Sequence, residues 1–306
     1  MRILITGGAG FIGSHSVDRC VARGDTVLVV DDLSTGREDN VVANAELAKL
    51  DVGSAQFIEV AKRFRPEAIV HFAAQTSVTA SMANPVHDAT ANILAGINVC
   101  KAATAAGCGQ FVYINTGGAL YSHPSTQPYK EDDPVYPISC YGLSKWTLEC
   151  YLRILLPPSI RLKVLRLANV YGPRQDPHGE AGVIAIFSER MSRGEPCNIY
   201  GDGGQTRDFV YVGDVAEAVE ATLGADKPVT VNIATARGIS VNDLFAKMAP
   251  IFGYQRPPVH SPERPGEMKH SVLANARALN EIGWSPRTLI DDGLRATAEW
   301  IFNRVK

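Results

Sequence analysis

Long apolar runs are missing from this chain. No stretch approaches the ~18 consecutive apolar residues that a membrane-spanning helix requires, so we expect no transmembrane segment. The strand-like pattern Arg2-Ile3-Leu4-Ile5 begins almost at once and leaves no room for a secretory signal peptide. We therefore expect a cytoplasmic protein.

A surplus of charge of either sign is also missing. The chain has 30 basic and 32 acidic residues, which are interspersed and give a net charge of −2. Without a basic patch, a nucleic acid is not an expected partner. The sequence contains neither an internal repeat nor a low-complexity segment.

Cysteine is sparse and unpatterned. The six cysteines form no C-x-x-C pair and no metal-like cluster with histidine: Cys20, Cys100, Cys108, Cys140, Cys150 and Cys197. This usage indicates reduced thiols rather than disulfides or metal ligands, so no metal is expected. Cys140 has two interpretations, a reactive thiol beside Tyr141 or a small packing residue.

The chain does have enough apolar material for a large core. With 306 residues, of which 45% are hydrophobic, it is at the upper limit for one domain, and two lobes are expected. Strand-like runs alternate with helical segments. The predicted strands are Arg2–Ile5, Thr26–Val30, Leu47–Asp51, Ala68–Phe72, Phe111–Asn115, Leu162–Leu167 and Val229–Ile233, and the predicted helices are Phe11–Arg23, Ser54–Phe64, Pro85–Ala106 and Tyr141–Leu155. This order predicts an α/β fold with a doubly wound parallel sheet, the Rossmann fold.

A glycine pattern follows the first predicted strand. The segment Thr6–Gly13 reads T-G-G-A-G-F-I-G and leads into a helix, so the order is strand, glycine turn, helix. In such a turn Gly7 permits the tight bend, Gly10 lets the backbone approach a pyrophosphate, and Gly13 lets the helix pack on the strand. The pattern predicts a dinucleotide site at the helix N-terminus. The alternative is an ordinary turn between a strand and a helix.

An acidic residue ends the second predicted strand. Asp31 lies 18 residues after Gly13, where a carboxylate can accept hydrogen bonds from the adenosine ribose hydroxyls. A carboxylate at this position repels a 2′-phosphate, and no arginine follows immediately, which favours NAD over NADP. A helix-capping aspartate is the alternative, and it suits Asp32 better than Asp31.

A tyrosine precedes a lysine by four residues in Tyr141-Gly142-Leu143-Ser144-Lys145. On a helix the two side chains share one face, where the ammonium of Lys145 is expected to lower the pKa of the Tyr141 phenol from about 10. A phenolate near neutral pH is a general base for a hydroxyl group. Alone the pattern is weak, because a surface helix with a solvated lysine gives it too; with the glycine pattern it is strong.

Together these motifs resemble the extended short-chain dehydrogenase/reductase family and, within it, the UDP-glucose 4-epimerases. The resemblance runs almost from end to end and is carried by Thr6–Gly13, Asp31–Gly36, His71–Gln75, Thr116–Tyr121, Tyr141–Lys145, Asn169–Pro177, Arg207–Val212 and Arg264–Glu267. It implies a Rossmann domain for NAD at 1–167, with a return segment at about 205–233. A smaller, mixed sugar-nucleotide lobe would comprise 168–204 and 234–306.

The resemblance also implies a set of site residues. For NAD these are Gly7, Gly10, Phe11, Ile12 and Gly13 along the pyrophosphate, Asp31 on the ribose, Asp51 and Val52 at the adenine, Phe72, Ala73, Ala74 and Gln75 lining the cofactor, and Tyr141 and Lys145. For the UDP-sugar they are Asn169 at the diphosphate, Tyr200 beside the uracil, and Arg207 and Arg264 on the phosphates. Guanidinium groups suit that last task because they bind diphosphates with fork geometry. Without the motifs, the arginines would be solvated charges and Asn169 a satisfied loop amide.

Two positions depart from the family pattern. Many members have a catalytic serine or threonine four residues before the tyrosine that is Tyr121 here, but this position is Gly117. Thr116 has a hydroxyl one residue earlier and is expected to take the role. Ser122 replaces a glycine that is common after this tyrosine, and nothing in the sequence explains the change.

The resemblance implies a reversible 4-epimerisation of a UDP-hexose. Tyr141 would take the proton of the sugar 4-hydroxyl, Thr116 would hydrogen-bond the 4-oxygen, and Lys145 would tune Tyr141. The hydride that passes from carbon 4 to NAD would return to the opposite face of a 4-keto sugar. The alternatives are a 4,6-dehydratase or decarboxylase, which needs an additional acid or base where Gly117 and Gly118 offer none, and a non-catalytic NAD-binding regulator.

The family also suggests a partner and a substrate range. Helices Pro85–Ala106 and Tyr141–Leu155 match those that pair between subunits, which suggests a homodimer. Ser271, five residues after Gly266, corresponds to a position that can wall off the sugar 2-substituent. A small residue there is expected to leave room for N-acetyl sugars. The alternative is a loop serine without sugar contact.

Overall fold

The computed structural model describes residues 1–121, 127–178, 182–263 and 268–305. The strands are β1 (Arg2–Thr6), β2 (Thr26–Asp31), β3 (Glu46–Lys49), β4 (Ala68–His71), β5 (Gln110–Thr116), β6 (Arg161–Leu167), β7 (Asn169–Tyr171), β8 (Asn198–Tyr200), β9 (Thr206–Tyr211), β10 (Val229–Ile233), β11 (Gly238–Ser240), β12 (Val259–Ser261) and β13 (His270–Ser271). The helices are α1 (Phe11–Ala22), α2 (Ala55–Phe64), α3 (Val78–Ala83), α4 (Pro85–Ala89), α5 (Ala95–Ala105), α6 (Cys140–Leu155), α7 (Val183–Ser192), α8 (Val212–Gly224), α9 (Val241–Ile251), α10 (Ala276–Ile282) and α11 (Ile290–Val305).

The main sheet has the strand order β10-β6-β5-β4-β1-β2-β3, and neighbouring strands are parallel. The order reverses direction on either side of β1, as it does in doubly wound folds. The predicted α/β class with a parallel sheet is therefore confirmed. In such a sheet ligands bind outside the carboxyl ends of the strands, which places the glycine turn after β1 and the ends of β4 and β5 at one edge.

Both faces of the main sheet are covered by helices. Ile3 and Ile5 of β1 pack with residues of α1 and α8, whereas Leu4 packs on the opposite face with residues of α2, α5 and α6. Alternate residues of a strand point to opposite faces, so a strand buried on both faces reads as a continuous apolar run. This is why the short apolar runs predicted the strands. Among the helices of the described ranges, none is both long and apolar enough to cross a membrane.

One predicted helix differs from the structure. The segment predicted as a single helix from Pro85 to Ala106 consists of α4, a π-helical turn at Thr90–Leu94, and α5. A π turn inserts one residue into the helical repeat, and such turns often occur at functional sites. The predicted third strand is also displaced, since β3 ends at Lys49 and Asp51 follows it.

A second body of structure is built from the small strands and the later helices. One sheet has the order β11-β9-β13, with β7 also paired to β9, and β12 pairs with β8. Its apolar core includes Phe187 of α7, Phe209 of β9 and Leu244 of α9. The segments that form it come from 169–211 and from beyond 238, so distant parts of the chain meet beside the main sheet.

Candidate functional site

The glycine turn is shaped by close backbone contacts. Gly7 has a φ of +68°, and a Cβ there would lie 2.6 Å from the backbone nitrogen of Ala73, at the end of β4. A Cβ on Gly13 would lie 2.2 Å from the carbonyl oxygen of Gly7. Within the described residues, no side chain caps the start of α1, where Gly10 is the N-cap. The first N–H groups of α1 are therefore available to an anion.

Asp31 is held against this turn. Its Oδ2 accepts the N–H of Ala9 at 3.0 Å, and its Oδ1 accepts the N–H of Leu33 at 2.9 Å. The side chain is buried at the end of β2. Asp32 instead accepts bonds from the backbone and hydroxyl of Ser34. It caps no helix, since the next helical segment begins at Glu38 with Arg37 as its N-cap. The two acidic residues thus have different local partners.

Other predicted cofactor residues follow β3 and β4. The Oδ1 of Asp51 accepts the N–H of Gly53 at 2.7 Å, and the carbonyl oxygen of Val52 accepts a bond from Asn98. After β4, the N–H of Phe72 donates to the Thr6 carbonyl at 3.0 Å. The segment Phe72–Gln75, which includes Ala74, thus begins directly beside the glycine turn.

Tyr141 and Lys145 lie in the first two turns of α6. The helix begins at Cys140, where the hydroxyl of Ser139 accepts the N–H of Gly142. Lys145 is 4% exposed, and its Nζ donates to the carbonyl oxygen of Ile114 at 2.8 Å. The ammonium also lies 4.6 Å from the centre of the Tyr113 ring, and the Tyr113 hydroxyl donates to the Lys145 carbonyl at 3.0 Å. Strand β5 therefore holds Lys145 at both ends.

The Thr116 hydroxyl lies within reach of the Tyr141 phenol oxygen. Its Oγ1 accepts the N–H of Ala119 at 3.2 Å, which leaves the hydroxyl proton to be donated to the phenol oxygen. The side of Gly117 is filled, since a Cβ there would lie 2.3 Å from Cδ1 of Leu273. The structure thus brings Thr116, and not residue 117, to the tyrosine. Ser122 lies outside the described residues.

Burial is the largest cause of the pKa shifts of Tyr141 and Lys145. It raises the pKa of Tyr141 to about 12, although the hydrogen bond from Thr116 opposes the rise. Burial also lowers the pKa of Lys145 to about 7. The expectation that Lys145 lowers the pKa of the phenol was wrong for the chain alone. Burial has the larger effect on the pKa of the phenol. In addition, the Lys145 ammonium is directed at the Ile114 carbonyl and the Tyr113 ring.

Three residues that were predicted to bind the sugar nucleotide lie on one face of the small sheet. Asn169 of β7 pairs with Phe209 of β9, and Arg207, two residues earlier, pairs with Ser271 of β13. Paired residues and residues two apart share a face, so Asn169, Arg207 and Ser271 point to the same side. Ser271 is buried, and a Cβ on Gly118 would lie 3.4 Å from Oδ1 of Asn169. This face is thus adjacent to the loop after β5.

The other predicted substrate residues have fewer described contacts with this face of the small sheet. Tyr200 ends β8, and its carbonyl oxygen accepts a bond from Gln205 at 3.0 Å. Nη1 of Arg207 donates to the Thr206 carbonyl at 3.0 Å. Arg264 lies outside the described residues.

A buried polar network that was not predicted from the sequence contacts the first turn of α6. Its members are Asp88, Asn92 and Ser144, together with Ser81, whose Oγ accepts the N–H of Tyr141 at 3.0 Å. Gln75 also belongs to it, since its Nε2 donates to Asp88. The sequence pattern that could have predicted this network is Asp88 and Asn92, which lie four positions apart in the predicted helix Pro85–Ala106.

The chain is similar to known proteins in sequence and in structure. The model of the NAD-dependent epimerase/dehydratase family matches residues 3–234. A UDP-glucose 4-epimerase of Mycolicibacterium smegmatis is 40% identical, with 99% of each chain covered. The structure of a Thermotoga maritima UDP-glucose 4-epimerase with UDP-glucose has a TM-score of 0.96 at 40% identity and covers 100% of each chain. That of a Thermus thermophilus UDP-glucose 4-epimerase with NAD has a TM-score of 0.91 at 39% identity and covers 99% of each.

Proposed function

Since the chain belongs to the NAD-dependent epimerase/dehydratase family, we propose that it catalyses the reversible 4-epimerisation of UDP-hexoses, above all UDP-glucose and UDP-galactose. The observation that carries the proposal is the assembly of Thr116, Tyr141 and Lys145 beside the glycine turn. Three relatives that match nearly the whole chain at 39–40% identity are UDP-glucose 4-epimerases, one solved with UDP-glucose and another with NAD.

The residues present fit NAD as the cofactor. The uncapped start of α1, with Phe11, Ile12 and Gly13, suits a pyrophosphate, and the two-oxygen carboxylate of Asp31 suits ribose hydroxyls. Asp51 and Val52 would lie at the adenine, and Phe72–Gln75 would line the cofactor. When bound, NAD supplies a hydride acceptor that returns the hydride within the same cycle, so no second substrate is consumed.

The chain's own residues would move the proton. Tyr141 takes the proton from the sugar 4-hydroxyl and later returns it to the 4-oxygen, while the Thr116 hydroxyl stabilises the phenolate oxygen. Lys145 adds positive charge near the tyrosine and is held for this by Ile114 and Tyr113. Because burial favours the neutral phenol, the phenolate would form mainly when a ligand brings further positive charge into the site.

The alternatives within the family lack support from the loop after β5. A 4,6-dehydratase or a decarboxylase requires an additional acid or base after Thr116, and this chain has Gly117 and Gly118 there. Leu273 occupies the space beside Gly117. A non-catalytic regulator is also disfavoured, because the tyrosine and lysine are both retained and Lys145 is buried.

The substrate would lie between the two bodies of structure. We propose that 1–167 with the return segment at about 205–233 binds NAD and that 168–204 with 234–306 binds the sugar nucleotide. Strand β9 (Thr206–Tyr211) departs from this division, because it pairs with β7, β11 and β13 of the small sheet. Asn169, Arg207 and Arg264 would bind the diphosphate and Tyr200 would lie beside the uracil. Ser271 would border the sugar 2-substituent and admit N-acetyl sugars. Support comes from the shared face of Asn169, Arg207 and Ser271.

We further propose a cytoplasmic homodimer that acts in galactose metabolism. Leu94 of the π turn and Leu143 and Ile154 of α6 are 60%, 53% and 80% exposed, although all three are apolar. Leu143 and Ile154 are eleven residues apart and thus share one helix face. An exposed apolar face of this kind is typical of a subunit interface.

Incubation of the protein with UDP-galactose, with the products read by NMR, tests the proposal. We expect conversion to a mixture with UDP-glucose, without loss of water or carbon dioxide and without net reduction of NAD. A 4-keto-6-deoxy product or a pentose product would instead assign a dehydratase or a decarboxylase.

A further inference from the structure

A buried carboxylate lies close to the proposed catalytic pair. Asp88, on α4, is 1% exposed, and its Oδ1 accepts bonds from Nε2 of Gln75 at 2.8 Å and from Nδ2 of Asn92 at 3.0 Å. Both donors are neutral amides. Fully buried aspartates are rare unless they are paired, so this carboxylate requires an explanation beyond packing.

The carboxylate is linked to the helix that bears Tyr141. Nδ2 of Asn92 also donates to the hydroxyl of Ser144 at 3.0 Å, and that hydroxyl donates to the Tyr141 carbonyl at 3.0 Å. Asn92 lies in the π turn, whose additional residue rotates the following part of the helix. Asp88 and α6 are therefore joined by a short chain of hydrogen bonds.

The Asp88 charge acts on both members of the pair. Burial lowers the pKa of Lys145 to about 7, and the negative charge of Asp88 opposes this fall. Burial also raises the pKa of Tyr141 to about 12, Thr116 opposes the rise, and Asp88 adds to it. One charge thus favours the cationic form of Lys145 and the neutral form of Tyr141.

Other titratable groups around the pair do not compete for this role. His71 and Tyr113 face Lys145 from β4 and β5, but burial, aided by the lysine charge, lowers the pKa of His71 to about 3, and burial raises that of Tyr113. Glu149, one turn further along α6, is paired with arginines. Helix α3, which packs on α4, has no charged residue, and His87 of α4 is exposed.

We propose that Asp88 is a positioning residue that supplies the counter-charge of the Lys145 ammonium and, through Asn92 and Ser144, fixes the start of α6. The inference rests on the proposed function, because it assigns Asp88 to the same proton transfer.

The variant Asp88→Asn tests the effect of the negative charge of Asp88. The amide oxygen can replace Oδ1 and keep the bonds from Gln75 and Asn92. The substitution removes the negative charge and puts an NH2 group in place of Oδ2, with almost no change of volume. Lys145 and Tyr141 should then both titrate at lower pH, and both limbs of the kcat–pH profile should move down by about 0.5–1 unit. A purely structural role would lower the profile without moving its limbs.

Asp214→Asn is the matched control. Asp214 is also buried, and it accepts bonds from the backbone and hydroxyl of Thr288. Its charge raises the pKa of Tyr171 and Tyr211, for which burial is the larger cause, and not that of the proposed pair. We expect this variant to leave both limbs in place.

A second measurement separates this inference from the proposed function. Protein labelled with carbon-13 at the lysine ε position gives a titration midpoint for Lys145, assigned by its loss in Lys145→Met. We expect the midpoint to fall in Asp88→Asn, or in Asp88→Ser should the first variant not fold. A lower midpoint in a protein without turnover would sustain the inference and reject the function. An unmoved midpoint, or unmoved limbs in an active enzyme, would overturn the inference.

Discussion

At the scale of single residues, the proposed chemistry depends on one hydroxyl whose position the family pattern did not give. The Thr116 hydroxyl lies within reach of Tyr141, while Leu273 fills the side of Gly117, the position where the family pattern led us to expect a hydroxyl. The sequence identified Thr116 only as a substitute. The Leu273 side chain, which occupies the space beside Gly117, belongs to a residue far along the chain. The motif around Thr116 therefore could not predict this contact.

Thr116→Val should reduce turnover and leave substrate affinity nearly unchanged. The variant loses a hydrogen bond that strengthens as the phenolate forms, at a cost of about 1–3 kcal/mol in the barrier. Steady-state kinetics would show the loss in kcat and not in KM. Thr116→Ser retains the hydroxyl and should remain active. A Val variant as fast as wild type would point to Ser122 or a water instead.

Ser271→Tyr should separate two classes of sugar. Ser271 is buried and pairs with Arg207, so a large ring at this position would fill the space proposed for a 2-substituent. Wild type should turn over UDP-N-acetylglucosamine and UDP-N-acetylgalactosamine, and the variant should lose this activity while it keeps UDP-galactose turnover. No turnover of either N-acetyl sugar by wild type at millimolar concentration would refute the prediction.

At the scale of elements, α6 is fixed to the main sheet by a buried ion pair. Glu149 accepts a bond from Nη2 of Arg166 in β6 at 2.7 Å, and its other oxygen accepts one from Asn115 in β5 at 2.7 Å. Burial alone would raise the pKa of Glu149, but the bond and charge of Arg166 and of Arg153 hold it below its ordinary value. The helix that bears Tyr141 thus has a charged anchor two turns further on.

Glu149→Gln should destabilise the protein by about 3–5 kcal/mol at pH 7, because it leaves Arg166 as an unpaired buried cation. The folded-state pKa of Glu149 is depressed, so its contribution is present above its unfolded pKa of 4.5 and is lost as pH falls through the folded-state value. Urea unfolding should therefore show a gap between variant and wild type that narrows below about pH 4.5.

Glu59→Gln is the matched control for this experiment. Glu59 pairs with Lys62 on an exposed helix surface, where an ion pair contributes at most about 1 kcal/mol. Equal effects of the two substitutions would contradict the anchoring role of Glu149.

Local patterns predicted some elements well and others not at all. The order of β1, the glycine turn and α1 follows from short-range spacing, so the sequence contained it. The π turn at Thr90–Leu94 adds one residue to a helix without changing its composition, and periodicity cannot detect it. The strands of the small sheet have two to six residues and pair across long separations, so the sequence indicated only an irregular region.

At the scale of the whole molecule, the doubly wound fold and the family resemblance are both confirmed. The proposed homodimer remains a prediction. Its support is the apolar face formed by Leu143 and Ile154 of α6, together with Leu94 of the neighbouring π turn.

Leu94→Arg combined with Ile154→Arg should convert a dimer into a monomer, because two desolvated charges would lie in each half of the interface. Sedimentation equilibrium measures the mass. Leu279→Arg changes an equally exposed leucine on α10 and should leave the dimer intact. A wild-type protein that is monomeric at micromolar concentration would contradict the proposal.

The most direct test of the central claim compares wild type with Tyr141→Phe in the conversion of UDP-galactose to UDP-glucose. The phenyl ring fills the same partly buried site, so the variant should fold and retain NAD. Without the phenol oxygen the proton has no acceptor, and the rate should fall by about 10²–10⁴-fold. A folded, NAD-loaded Tyr141→Phe protein that epimerises UDP-galactose at nearly the wild-type rate would contradict the account.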